Sequence, residues 1–193
     1  MSNTTKEDIL IVAVHLFAKD GYEAVSVSKI ARELGMTKGA LYRHYDNKRD
    51  IFEHIVKRME QGDGEQADEY DMPTDEKESM PKKYEKVSMD NFLEYSKSMF
   101  AYWTENDFAS SFRKMLILEQ FRTEEMQDLY QKYLVVGPAE YVKDLFESMG
   151  IVEADKKATM FYSMMFFYYS LYDGAKDKKR IKEQFEKSIS SLI

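Results

Sequence analysis

Apolar residues recur at three- and four-residue steps along most of this 193-residue chain, and only 8 glycines and 3 prolines interrupt them. That period is the turn of a helix rather than the alternation of a strand, so an all-α fold is expected. The length suits one large domain or two small ones, with enough chain to bury a sizeable core. There is no cysteine, which excludes disulfides and thiolate metal sites and fits a reducing cytoplasm. Two apolar runs need separate reading. Ile9–Phe17 follows Glu7 and Asp8 and precedes no small-x-small cleavage pattern, so it reads as a helix, not a secretion signal. Ala158–Tyr172 runs 15 residues without a charge, short of the roughly 20 that a membrane span needs. It reads as a buried helix.

Capping residues divide the rest. Thr4 or Thr5 can cap a first helix, with Glu7 or Asp8 completing a capping box and Gly21 ending it. Ser26 caps a short second helix that stops at Gly35, Thr37 caps a third running to about Tyr45, and Asn47 with Asp50 opens a fourth. Ser88, Asp107 and Thr123 begin later helices, Pro138 stands in a first turn, Gly150 and Gly174 close two helices, and Ile181, Phe185 and Ile189 mark a last amphipathic one.

Charge is unevenly placed. Residues 1–60 carry ten Lys/Arg against nine Asp/Glu, whereas the remainder carries 18 against 26, within a total of −7. Any basic footprint must therefore be local. Between Gln61 and Met80 there is no Ile, Leu or Val, and eight acidic residues face one lysine. Such a stretch reads as a solvated, mobile connector. The expected domains are 1–48 with a connecting fourth helix to about 60, an acidic connector at 61–87, and a helical domain at 88–193.

Residues 26–45 read Ser-Val-Ser-Lys-Ile-Ala-Arg-Glu-Leu-Gly-Met-Thr-Lys-Gly-Ala-Leu-Tyr-Arg-His-Tyr. Two short helices flank Gly-Met-Thr, with Ile30, Ala31 and Leu34 facing Leu41 and Tyr45. This is helix-turn-helix logic, in which the first helix braces and the second enters the major groove. The N-terminus of the second offers free N–H groups to a phosphate. Candidate DNA contacts are Ser26, Thr37, Lys38, Gly39, Ala40, Tyr42, Arg43, His44 and Lys48. Arg43 has the paired donors that read guanine, Tyr42 and His44 can donate to phosphates, and Lys48 adds a charge.

At these residues the chain resembles the N-terminal domain of TetR-family regulators. Gly21-Tyr22 through Val56 carries the resemblance, including the run Lys38-Gly39-x-Leu41-Tyr42-x-His44-Tyr45-x-x-Lys48, and Ile9-Leu10, Ala13 and Leu16-Phe17 resemble the family's first helix. Two departures stand out. Only Lys6 precedes the first helix where several basic residues are usual, and Ile11 and Val14 replace polar residues, which suggests extra packing on that helix.

The resemblance implies a cytoplasmic homodimer that binds a palindromic operator in double-stranded DNA, represses transcription and is released by a small molecule; an activator, or a regulator without an effector, is the alternative. Ten tyrosines from Tyr84 onward are more hydroxyls than a core wants, which favours a cavity. Its expected lining is Tyr95, Met99, Tyr102, Trp103, Phe112, Met115, Glu119 and Met165, suited to a lipophilic neutral or cationic effector; alternatively Glu119 points to water and pairs with a surface lysine. Dimerisation is expected through the Pro138–Met149 and Ala158–Tyr172 helices, at Tyr141, Leu145, Met160, Ser163, Phe167, Ser170 and Gly174. An enzyme is disfavoured: there is no cysteine nucleophile, Gly-rich phosphate loop or nucleophile elbow, and no histidine after His54. His15, His44 and His54 have no ligand spacing, so neither metal nor cofactor is expected. A net charge of −7 argues against indiscriminate DNA coating.

Overall fold

The computed structural model describes residues 5–192. Among them are eleven α-helices and no strand. By packing, the chain falls into two compact units: residues up to Gly62 with Asp107–Tyr130, and Asp63–Asn106 with Gln131 onward.

The first unit holds α1 (Lys6–Asp20), α2 (Val27–Glu33), α3 (Lys38–Leu41), the start of α4 (Lys48–Glu69), α7 (Asp107–Glu119) and most of α8 (Glu124–Leu134). Thr5 and Asp8 form the reciprocal box that starts α1, and Thr4 lies outside the described residues. Gly21 ends α1 at φ 86°, a conformation that only glycine adopts without strain. Ile9, Ala13, Val14, Phe17, Ile30, Leu41, Ile51 and Ile55 have no exposed surface, and neither do Ala109, Phe112, Met115 and Leu116 of α7. α7 packs along α1, and Val14 of α1 is fully buried. Residues 107–130 thus pack with the N-terminal helices, whereas their composition had grouped them with 88–193.

The second unit contains the end of α4, α5 (Pro81–Tyr84), α6 (Met89–Glu105), α9 (Val136–Ser148), α10 (Ala154–Gly174) and α11 (Lys178–Leu192). Its core is aromatic. Phe92 meets Phe146 and Phe161 at 5.2 and 4.9 Å, and Phe100 stacks on Phe185 and Tyr169 at 4.1 and 5.5 Å between ring centres.

Two expectations need correcting. α4 does not stop near residue 60 but runs 22 residues to Glu69, because the burial of Met59 and Ala67 outweighs the low helix propensity of Gly62 and Gly64 between them. The segment after it is a pinned strap rather than a solvated connector. Asn91 Nδ2 donates to the Tyr70 carbonyl at 2.7 Å, Tyr141 Oη to Pro73 at 2.9 Å and Tyr84 Oη to Asp75 at 3.1 Å. Lys77 pairs with Glu147 at 2.9 Å, and Met72 is fully buried. Counting aliphatic residues missed this because the strap is held by its carbonyls.

Candidate nucleic-acid interface

The helix-turn-helix is assembled from local hydrogen bonds. Ser26 Oγ accepts from the Lys29 N–H at 3.2 Å to start α2, and Thr37 Oγ1 accepts from Ala40 at 3.1 Å to start α3. Between them Gly35 takes φ 64°, and the Met36 N–H returns to the Ala31 carbonyl at 2.9 Å. That tight turn needs glycine's freedom. Ile30, Ala31, Leu41 and Tyr45 are buried, so the remaining face of the pair is turned out.

α3 spans four residues, not the eight or nine expected. Beyond it the chain coils on through Arg43, His44 and Tyr45, whose N–H groups donate to Ala40, Leu41 and Leu41. One turn sums few peptide dipoles, so ligand recognition here falls to side chains. Ser26, Thr37, Lys38, Gly39, Tyr42 and Arg43 are exposed; Ala40, His44 and Lys48 are half-buried. Lys38 lies 5.5 Å above the Tyr42 ring. Tyr45 anchors the turn: its hydroxyl donates to the Lys6 carbonyl at 3.2 Å, and burial pushes its pKa up to about 12.

The charge pattern resolves the near-neutral balance of this region. Lys29 is tied to Asp20 at 2.8 Å, Arg49 grips Glu125 through both terminal nitrogens at 2.6 Å, and Arg58 meets Glu7 at 3.1 Å. Lys38 and Arg43 make no ion pair among the described residues, so on the Thr37–Arg43 turn both cations stay open to an external anion. Lys48 is half committed. Its ammonium donates to the Tyr22 carbonyl at 2.9 Å, sits 4.1 Å over the Tyr22 ring and has Glu23 at 3.8 Å. Tyr22 itself was not singled out, although a tyrosine directly after the helix-ending Gly21 was the available signal.

The expected effector residues are distributed over both units. Phe112, Met115 and Glu119 belong to the first unit, where 0–1% exposure leaves them no surface on a cavity. The Glu119 carboxylate accepts the Tyr22 N–H at 3.2 Å, so it neither faces a ligand space nor points to water. Tyr95, Met99 and Tyr102 of the second unit keep some accessible surface, whereas Trp103 and Met165 are buried. Burial, then the charge of Asp63, raises the Tyr95 hydroxyl well above its ordinary pKa, and its ring neighbours Tyr70 and Tyr141 at 5.9 and 6.4 Å. The surplus of hydroxyls has a plainer explanation in part: Tyr84, Tyr141 and Tyr162 donate to carbonyls and Tyr168 meets Ser188.

Of the expected dimer contacts, Met160, Ser163, Phe167, Ser170 and Gly174 are exposed on α10. Leu145 is not available: it is fully buried in its own unit, together with Val142 and Phe146. Tyr141 is half-buried and spends its hydroxyl on the strap. His15 and His54 each stand beside one carboxylate, Asp107 and Asp50, and no metal-holding group occurs among the described residues. No helix among them is long and apolar enough to cross a membrane.

Residues 9–55 match the family described as bacterial regulatory proteins, tetR family. Among curated relatives, the HTH-type transcriptional regulator AcrR of Shigella flexneri is 39% identical over 66 residues, 34% of this chain and 31% of the relative. An HTH-type regulator of Staphylococcus aureus is 40% identical over 47 residues, 24% of this chain and 25% of its own length. The chain thus spans a third or less of these relatives. Whole-chain likeness comes from solved structures. A transcriptional regulator of Aquifex aeolicus has a TM-score of 0.74 at 17% identity, covering 98% of this chain and all of that one.

Proposed function

Since the chain belongs to the TetR family, we propose that it is a cytoplasmic homodimer that represses transcription from a palindromic operator and is released by a lipophilic small molecule. The observation that carries the reading is the exposed Thr37–Arg43 turn, seated on buried Leu41 and Tyr45 with Lys38 and Arg43 unpaired. Arg43 reads a guanine edge through two parallel hydrogen bonds, and Gly39 and Ala40 allow close approach. Tyr42, His44, Thr37, Ser26 and Lys38 meet phosphates, as does Lys48 with the donors that Tyr22 leaves it.

Dimerisation is supported by α10. Met160, Ser163, Phe167, Ser170 and Gly174 step by three and four along one exposed face, the spacing of a two-helix seam. Phe167 and Met160 are 57% and 50% exposed, far more than large apolar side chains in the interior of a helical unit. For the effector, Tyr95, Met99 and Tyr102 supply aromatic and soft surface beside the Asp63 charge, which suits a neutral or cationic lipophile over an organic acid.

Titration of labelled duplexes tests the function. Wild-type protein should prefer one palindrome to its scrambled sequence, and Arg43→Ala should lose about 1–3 kcal/mol of that preference. Equal affinity of the wild type for both duplexes would end the operator reading. Phe167→Glu should sediment as a monomer, because the seam would bury an unpaired charge.

A further inference from the structure

Tyr22 lies in the turn between α1 and α2, and its backbone is gripped from two sides by charged groups distant in sequence. Its N–H donates to Glu119 Oε1 of α7 at 3.2 Å, and its carbonyl accepts from the Lys48 ammonium at 2.9 Å. The ring is fixed as well, with Phe17 and Phe52 edge-on at 5.1 and 5.2 Å. Glu119 is only 1% exposed, with Arg122 Nε 3.6 Å from the same oxygen. A Cβ at Gly21 would stand 2.7 Å from that oxygen. The glycine therefore serves twice: it permits φ 86° and it admits the carboxylate.

Burying a carboxylate is costly unless it is hydrogen-bonded. An apolar side chain would fill the same space without that penalty, so the use of a charged acceptor points to the bond with Tyr22. We propose that Glu119 is a positioning residue for operator binding. Through the Tyr22 backbone it fixes the place of the Lys48 ammonium, and so couples α7 to a phosphate contact. The inference rests on Lys48 being a phosphate ligand, as proposed above. A shift of α7 along α1 acts on the Glu119–Tyr22 bond, and Tyr22 holds Lys48 by both its carbonyl and its ring. The coupling is reciprocal: phosphate bound at Lys48 favours the arrangement in which Glu119 holds Tyr22.

The test is operator affinity across a potassium chloride series for Glu119→Met, Glu119→Gln, Lys48→Met and the Glu119→Met/Lys48→Met double variant. Glu119→Met should bind about tenfold more weakly, the scale of a lost hydrogen bond to a charged group. Its plot of log affinity against log salt should be shallower by about one, as should that of Lys48→Met. The double variant should be no weaker than Lys48→Met alone. Glu119→Gln keeps an oxygen that accepts the same N–H, so it should stay within about twofold of wild type. Additive losses in the double variant, or an unchanged salt slope in Glu119→Met, would reduce Glu119 to a packing residue and overturn the inference. An unchanged slope in Lys48→Met would instead remove the phosphate reading on which it rests, and the inference with it. Should Glu119→Met fail to fold, Glu119→Asp, one methylene too short to reach Tyr22, is read on the same axes with the same expected and overturning results.

Discussion

The two units hold their non-helical backbone by different chemistry. In the first, the turn after α1 is gripped by ions, Glu119 at the Tyr22 N–H and Lys48 at its carbonyl, with Arg49–Glu125 closing α4 onto α8. In the second, the carbonyls of Tyr70, Pro73 and Asp75 are held by the neutral groups of Asn91, Tyr141 and Tyr84, and the Lys77–Glu147 pair is an ionic addition to the strap. Tyr45 on the Lys6 carbonyl is a neutral hold in the first unit, as are the Ser26 and Thr37 caps. The difference teaches where solution conditions act. Ionic holds weaken with salt and acid, whereas phenol-to-carbonyl bonds and ring packing do not titrate below neutrality.

The largest effect expected is in the aromatic core. Phe161→Ala removes a fully buried ring in contact with Phe92 and Phe146 and should cost about 3–5 kcal/mol, read by urea unfolding at neutral pH. The same loss should appear at high salt; a strong salt dependence would break the contrast. Next comes Tyr141→Phe, which leaves the Pro73 carbonyl without its donor. A loss of about 1 kcal/mol is expected, along with faster protease cleavage within 70–80 while the aromatic core stays folded. Unaltered cleavage would mean that the strap is held by Met72 and Lys77 alone.

The smallest effect sharpens the ionic side. Arg49, first by hydrogen bonding, holds the Glu125 carboxyl below its ordinary 4.5. A lowered folded pKa stabilises above the unfolded value, and that stability is lost as pH falls through the folded value. Both partners are about half exposed, so Glu125→Gln should cost less than about 1 kcal/mol at pH 7. Wild type and variant should converge as pH drops below the depressed pKa. A gap that persists in acid would assign the effect to packing.

Local devices were legible in the sequence, and long-range ones were not. Thr5, Ser26, Thr37 and Ser88 cap the helices that they were read to cap, because a cap is written within four residues. Gly21, Gly35 and Gly150 have the positive φ expected of helix ends. The reading turn was legible for the same reason, with Leu41 and Tyr45 inward and Tyr42 and Arg43 outward. Glu119 was misread because its partner is 97 residues away, and α7's apolar stripe looks alike whichever unit it packs in. Leu145 was misplaced because helical spacing says that a face is apolar without saying what covers it.

Trp103 is the chain's single tryptophan, 5% exposed on α6. Indole emission therefore reports on the second unit, while circular dichroism, with helices in both, follows the whole chain. An unfolding curve taken by fluorescence can look cooperative while the reading head has already melted. Overlaying the two optical traces, with operator absent and then bound, asks whether the units unfold as one body or in sequence.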